Sequence, residues 1–380
     1  MTSRRPELHV GTHNLLADRS LDFQLDRWIA YGGDSMLADV RSVLDRLATL
    51  DGWRSAFLEL HERAVAASRP LDAALHLRAA EFFFLPGDPR RPAARRTFVS
   101  LMREVFDVAP SRVPYAGGSL PVYRFAPPRP RHTVVVFGGF DSYIEELFPI
   151  FLALRGEGID VVAFEGPGQG AVLHDARLPM TPDWHLPVGA VLDALGLDDV
   201  TLVGISLGGC LAIRAAACEA RVRRVVAFDV LADFEACLLA QIPAARRLVL
   251  RTLLATRAGS LFDGLVRRDR RPIVEWGVAQ GMHVFGVETP HAMLREAARY
   301  HTRDVSARVT QDVLLLAGAE DHYVPRRQIL DQVAALTGAR SITARVFSRA
   351  ESAHSHCQVG HLPLAVHTIA RWIDAIVPAK

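Results

Sequence analysis

The sequence predicts a three-layer α/β fold, a doubly wound and mostly parallel sheet with helices on both faces, preceded by a helical region. Three observations predict it. Short apolar runs recur at His132–Phe137, Ile159–Phe164, Val200–Val203, Arg224–Phe228, Val313–Leu316 and Ile342–Phe347. The first of them is β-branched and apolar on both faces, as a buried parallel strand should be. Helical segments lie between most of these runs, and strand–helix alternation implies helices packed on both sides of a parallel sheet.

The chain before the sheet reads differently. From residue 13 to about 108 the apolar positions keep helical spacing, as in Leu37, Val40, Leu44 and Leu47, and again in Phe57, Leu60, Ala64 and Ala67. The segment Leu71 to Leu85 ends at the breaker Pro86-Gly87-Asp88-Pro89, and Phe98, Leu101, Met102, Val105 and Phe106 form a last amphipathic series. This gives an N-terminal helical domain over 1–110 and a sheet-containing core over 111–380. At the start of the core, Val113-Pro-Tyr and Leu120-Pro-Val-Tyr-Arg-Phe flank Gly117-Gly118, which predicts a hairpin. Between Phe228 and Val313 no strand pattern occurs. An insertion that long between two core strands, mostly helical, is expected to be a lid at about 230–308.

Composition narrows the classes. The 380 residues hold 44 Lys and Arg against 42 Asp and Glu, a net charge of +2, with half the residues hydrophobic. That balance gives no case for a nucleic-acid partner. The four cysteines form no CxxC pair, so a reduced, cytoplasmic setting is expected. Arg4-Arg5 has no apolar stretch behind it, as a signal peptide would require. No window approaches the roughly 20 apolar residues of a membrane span. The expected partners are a small-molecule substrate and, at most, a second copy of the chain in a homodimer.

The most informative stretch is Val200-Thr-Leu-Val-Gly204-Ile-Ser206-Leu207-Gly208-Gly209, an apolar strand followed by Gly-x-Ser-x-Gly and then a helix-forming run. That context specifies a nucleophile elbow, in which a sharp strand-to-helix turn lifts the serine above the sheet edge. A serine hydroxyl is a weak nucleophile at neutral pH and needs a base oriented by an acid. The fold requires the chain order serine, acid, histidine. Asp321, just past the run ending at Leu316 and Gly318, is the candidate acid. Two histidines, His354 and His356, compete for the base in the loop after Ile342–Phe347, and spacing does not choose between them. Gly138-Gly139-Phe140-Asp141 follows the first core strand; its Phe140 N–H and the Leu207 N–H are the expected oxyanion donors.

Two other groupings carry less. His354, His356, His361 and Cys357 are zinc-type ligands, but no second cluster accompanies them, so neither a metal nor another cofactor is expected. Glu165-Gly-Pro-Gly-Gln-Gly170 lacks the spacing of a phosphate-binding loop and reads as a tight turn at the sheet edge.

Taken together, these pieces resemble a group within the α/β-hydrolases. Its members join a helical N-terminal domain to the hydrolase core: FrsA-like esterases, the 2,6-dihydroxypseudooxynicotine hydrolase and polyketide-shortening hydrolases of the Ayg1 type. The matching segments are Gly138 to Glu146, Glu165 to Gly170, Gly204 to Gly209, Gly318 to Pro325 and His356-Cys-Gln-Val-Gly360. The resemblance implies an α/β-hydrolase core with a helical lid. In the group the catalytic histidine directly precedes a cysteine, which implies His356 as the base and leaves His354 as loop support. It also implies a lid carboxylate near the substrate, in the region of Asp233 and Glu235. The aromatic residues expected near the pocket, Phe140, Tyr143, Phe228, Phe234 and Tyr323, suit a flat apolar substrate.

The activity expected is therefore hydrolysis of an ester, or of an activated C–C bond in an aromatic or polyketide-like carbonyl compound. Thioester cleavage, acyl transfer and cyclisation use the same residues. A binding module that keeps the fold without chemistry is the rival of a different class.

Overall fold

The computed structural model describes residues 7–255, 259–269 and 271–377; the Arg4-Arg5 pair lies outside them. Eight strands form one sheet in the order β1-β2-β4-β3-β5-β6-β7-β8. They are β1 (Ser111–Tyr115), β2 (Gly118–Phe125), β3 (His132–Phe137), β4 (Ile159–Phe164), β5 (Val200–Ile205), β6 (Val222–Phe228), β7 (Asp312–Gly318) and β8 (Ser341–Phe347). β1 and β2 make the expected hairpin, with Tyr115 opposite Gly118. β2 joins β4 antiparallel, and all later pairings are parallel.

Alternation along the central strands divides the apolar core in two. Side chains of a strand point to opposite faces in turn, so Val134, Val136, Val203, Ile205, Leu314 and Leu316 face one layer. Val135, Phe137, Val200, Leu202, Val313 and Leu315 face the other. β4, β5 and β7 are buried along their whole length, as runs apolar on both sides must be. β8 differs from the buried strand expected at Ile342–Phe347. It has a neighbour on one side only, and Ile342 and Val346 are exposed. An edge position, which single-strand composition does not reveal, accounts for this.

Four helices precede the sheet: α1 (Arg19–Ser42), α2 (Leu50–Ala66), α3 (Pro70–Phe82) and α4 (Arg91–Phe106). Asp18 caps α1 by accepting the N–H groups of Ser20 and Leu21. The run Leu37 to Leu47 is not one helix. α1 is interrupted at Gly33, and Leu44 to Arg46 form a separate single turn. α3 is buried on every side, so its charges require partners. Arg78 Nε donates to Glu146 at 2.9 Å, its Nη1 to Glu81 at 2.6 Å, and its Nη2 to the Asp141 carbonyl at 2.7 Å. Arg27 pairs with Glu146 as well, and Arg91 joins Glu81 to the side chain of Gln280.

The helical layer is therefore continuous with the sheet's core. Leu25, Trp28, Ile29, Phe57 and Phe98 share one apolar cluster with Val134, Val203 and Leu314. Helices α5 (Phe148–Gly156), α6 (Gly170–His174), α7 (His185–Leu195) and α8 (Leu207–Ala216) connect the strands up to β6. Between β6 and β7, α9 (Phe234–Ala240), α10 (Ala244–Ala255), α11 (Gly259–Arg267), α12 (Pro272–Phe285) and α13 (Pro290–Ala297) occupy the expected lid interval. α14 (Arg327–Ala335) and α15 (Leu362–Ile376) complete the two faces. Replacing Arg78 by Met should leave Glu81 and Glu146 short of partners in a dry interior. Urea unfolding should then show a loss of about 3–5 kcal/mol; a loss below about 1 kcal/mol would mean that the network is solvated and energetically idle.

Candidate active site

The site is built where β3, β5, β6 and β7 end on the same edge of the sheet, the edge at which open α/β sheets place ligands. At the end of β5 the chain reverses into α8 through Ser206, whose backbone stands at φ 61° and ψ −124°. A Cβ on Gly204 would lie 1.9 Å from the Gly208 carbonyl oxygen, so only glycine permits the turn. The Ser206 N–H donates to the Phe228 carbonyl at 2.8 Å, which ties the elbow to the end of β6.

Ser206 Oγ lies 2.9 Å from His356 Nε2, and His356 Nδ1 lies 2.6 Å from Asp321 Oδ2. The other oxygen of Asp321 accepts the N–H groups of Tyr323 (2.7 Å) and Val324 (3.0 Å), which fixes the carboxylate's orientation. Burial disfavours the His356 cation, but the adjoining Asp321 carboxylate outweighs it and holds this imidazole well above the ordinary histidine value. For Asp321, burial acts upward; the His356 charge and the hydrogen bonds prevail and keep it below the usual carboxylate range.

Of the two histidines, the structure brings His356 to the serine. His354 is held through its backbone: its carbonyl accepts the Glu320 N–H at 2.9 Å and would be struck by a Cβ on Gly318. Its ring makes no hydrogen bond to Ser206 or Asp321. Two consecutive residues in left-handed conformation, Cys357 (φ 49°) and Gln358 (φ 51°), turn the chain sharply after His356.

The loop after β3 closes over the elbow. A Cβ on Gly139 would sit 2.9 Å from both the Ile205 carbonyl oxygen and the Leu207 nitrogen. Among the described residues, neither the Phe140 N–H nor the Leu207 N–H donates to a backbone carbonyl. Gln169, in the turn after β4, holds this loop by donating to the carbonyls of Gly138 (2.7 Å) and Gly139 (3.1 Å). Glu165 accepts the N–H groups of Ile144 (3.1 Å) and Ala171 (2.7 Å). Burial, then the nearby Glu145 charge, raises its carboxyl to about 8. The Glu165–Gly170 segment is thus a tight turn that braces the neighbouring loop.

The remaining expected residues are distributed around this centre. The Phe140 ring packs on Phe234 (centroids 5.1 Å) and Phe285 (5.8 Å), joining the β3 loop to α9 and α12. Tyr323 stands edge-on to His356 at 5.4 Å. Asp233 caps α9 through the Ala236 N–H (3.0 Å) and pairs with Arg303, so both its oxygens are engaged. Glu235 is half-buried and has no hydrogen-bonded partner among the described residues; burial, then the Asp233 charge, raises its carboxyl. Two contributors were not legible in the sequence. Phe23 of α1 touches both Tyr323 (5.4 Å) and His356 (6.1 Å). Asp229, immediately after β6, has its carboxylate 3.8 Å from His356 Nδ1. Its place at the end of a central strand is the signal that would have found it.

Comparison with known proteins agrees with this architecture. Residues 134–375 match the model of the "Alpha/beta hydrolase family". The chain belongs to that family. It is 27% identical over 379 residues to "Hydrolase LUC6" of Fusarium sp, covering 85% of this chain and 87% of that protein. It is likewise 27% identical over 355 residues to "20-hydroxy-prefusarin hydrolase FUS2" of Gibberella moniliformis, covering 84% and 83%. Among solved structures, the fold is shared with the 2,6-dihydroxy-pseudo-oxynicotine hydrolase, with a TM-score of 0.65, 23% identity and coverage of 92% and 94%. The family and the named relatives make this chain a hydrolase, and the last match extends through the N-terminal helices.

Gly139→Ala should push the β3 loop off the elbow. Modification of Ser206 by a fluorophosphonate should slow by about 10²-fold, the scale of losing one oxyanion donor, without loss of the folded state by circular dichroism. An unchanged rate would remove this loop from the reaction centre.

Proposed function

We propose that this protein is a serine hydrolase acting through an acyl-enzyme on a carbonyl compound, with Ser206 as nucleophile, His356 as base and Asp321 as acid. The observation that carries the proposal is the continuous relay from Ser206 Oγ through both nitrogens of His356 to Asp321, mounted on a strained elbow. His356 Nε2 takes the serine proton as Oγ bonds to the carbonyl carbon. The oxygen, now negative, is held by the Leu207 and Phe140 N–H groups. His356 passes the proton to the leaving group, whose bond to carbon breaks. A water then repeats the sequence on the acyl-enzyme, giving the carboxylic acid and free Ser206.

The substrate class we propose is an extended, partly aromatic or polyketide-like molecule, cut at an ester or at an activated C–C bond. The cluster of Phe140, Phe234 and Phe285, with the Tyr323 ring beside His356, supports it, as does the name of the Gibberella relative, 20-hydroxy-prefusarin hydrolase. C–C cleavage requires that the leaving carbanion be delocalised and protonated. His356 supplies the proton, and Glu235, a half-buried carboxyl with no hydrogen-bonded partner among the described residues, is the group suited to a substrate phenol or enol. With Asp233 engaged in its cap and ion pair, Glu235 is the better candidate of the two.

Three measurements test this. Ser206→Ala should keep the fold and lower turnover by several orders of magnitude, on the order of 10⁴ or more; wild-type turnover by the purified variant would refute the scheme. Because the base works only unprotonated and His356 is held above about 6.5, kcat/KM should rise with pH through a midpoint above that value. A midpoint well below it would mean that another group is the base. Finally, p-nitrophenyl esters and aryl β-diketones should be offered side by side, with products identified by mass. Diketone cleavage that is lost in Glu235→Gln while ester turnover survives would support the C–C reading; brisk ester cleavage with no diketone turnover would make the protein an esterase.

A further inference from the structure

Behind the imidazole lies a second carboxyl that the relay does not use. Asp229 is wholly buried. Its Oδ1 accepts the Val230 N–H at 2.8 Å and its Oδ2 the Cys357 N–H at 3.2 Å, so it grips the residue next to the base. Oδ2 is 3.8 Å from His356 Nδ1, against 2.6 Å for Asp321. One polar atom from each of Asp229, Asp321 and His356 lies within 4.8 Å of the others, so the two carboxyl groups share one dry site. Two carboxyl groups this close can hydrogen-bond to each other only if one of them keeps a proton to donate.

We infer that Asp229 is a positioning residue that stays protonated and donates to Asp321, so that the carboxyl pair behind His356 carries one proton and one negative charge. This rests on the reading of Ser206, His356 and Asp321 given above and adds the charge state on which that relay depends. Like charges sharing a buried site cannot both ionise, and one acid of such a pair retains its proton. The assignment of the proton follows from surroundings. Asp321 has the closer contact with His356 and two backbone donors on its other oxygen, which favour its anion. Asp229 is the more deeply buried of the two, and burial followed by the Asp321 charge raises its carboxyl well above the usual range.

The other titratable groups facing the pair do not alter this balance. His322 and Tyr323 come from the loop after β7, Cys357 from the His356 loop, and Cys237 from α9. Burial lowers His322 to about 4, keeping it neutral, and raises the Tyr323 hydroxyl and the Cys237 thiol to about 12, keeping them protonated. Asp321 is then the carboxylate in direct contact with His356. Were Asp229 ionised as well, a second negative charge at 3.8 Å would raise the imidazole further and move its uncharged, proton-accepting form to higher pH.

The test uses the full-length protein and the pH dependence of fluorophosphonate labelling at Ser206. Asp229→Ala should slow labelling by about tenfold or more and raise the midpoint of its pH profile, because Asp321 loses a donor. Asp229→Asn, whose amide donates the same hydrogen bond without charge, should recover most of the rate and return the midpoint to the wild-type value. If instead Asp229→Asn lowers the midpoint by about one pH unit or more, a negative charge has been removed and the inference is overturned. It is equally overturned if Asn fails to rescue and both variants slow labelling at an unshifted midpoint, since Asp229 would then only support the loop. Failure of the wild-type protein itself to label at Ser206 would instead refute the serine hydrolase reading, which keeps the two outcomes apart.

Discussion

Everything at this site depends on the backbone crowding around Ser206. An elbow at φ 61° is a conformation that non-glycine residues rarely hold, at a cost of about 1–3 kcal/mol. It persists because both arms are anchored: β5 is buried along its whole length, and nearly every residue of α8 is buried. The turn is so tight that neighbouring segments meet it backbone to backbone. Gly139 lies against Ile205 and Leu207, and the Ser206 N–H reaches the last residue of β6. The convergence of the β3 loop, the end of β6 and the His356 loop on one serine is therefore a packing consequence of the elbow.

Charge burial supplies the second constraint. The loop that closes over the elbow is gripped from behind by Arg78, which donates to the Asp141 carbonyl, and from the side by Gln169. Arg78 is buried beside Glu81 and Glu146, and removal of any one of these would strand a charge in a medium that solvates it poorly. The same network reaches α12 through Arg91 and Gln280. The N-terminal helices thus do more than cover apolar surface. They hold the β3 loop in position, and Phe23 of α1 packs directly beside His356.

Aromatic rings gather where the loop after β3 meets the helices between β6 and β7. Phe140, Phe234 and Phe285 meet across three separate elements, so this wall exists only when β3, α9 and α12 are assembled. Within it the two carboxyl groups take different parts. Asp233 serves the start of α9, whereas Glu235, two residues on, is half-buried and has no hydrogen-bonded partner among the described residues. Two acids close together in sequence are separated in role by a helix N-terminus, which satisfies one and not the other.

Much of this was legible in the sequence. Runs apolar on both faces specify parallel strands because a strand covered by helices on both sides has no polar face. The Gly-x-Ser-x-Gly spacing between a strand and a helix specifies an elbow because a side chain at Gly204 would strike the backbone of Gly208. Chain order then pointed to Asp321. Alternation alone could not separate His354 from His356, since both lie in one irregular loop; the His356-Cys357 pair carried that choice through the family resemblance, and the fold brings its ring to Ser206. The exposed edge of β8, the break in α1 and the buried Arg78 cluster depend on what lies beside each segment, which a one-dimensional pattern does not record. Asp229 is the clearest case. In sequence it is an acid after a strand; its meaning comes from a neighbour ninety-two positions away, Asp321, because the interaction between two carboxyls is set by their distance and burial in the folded chain.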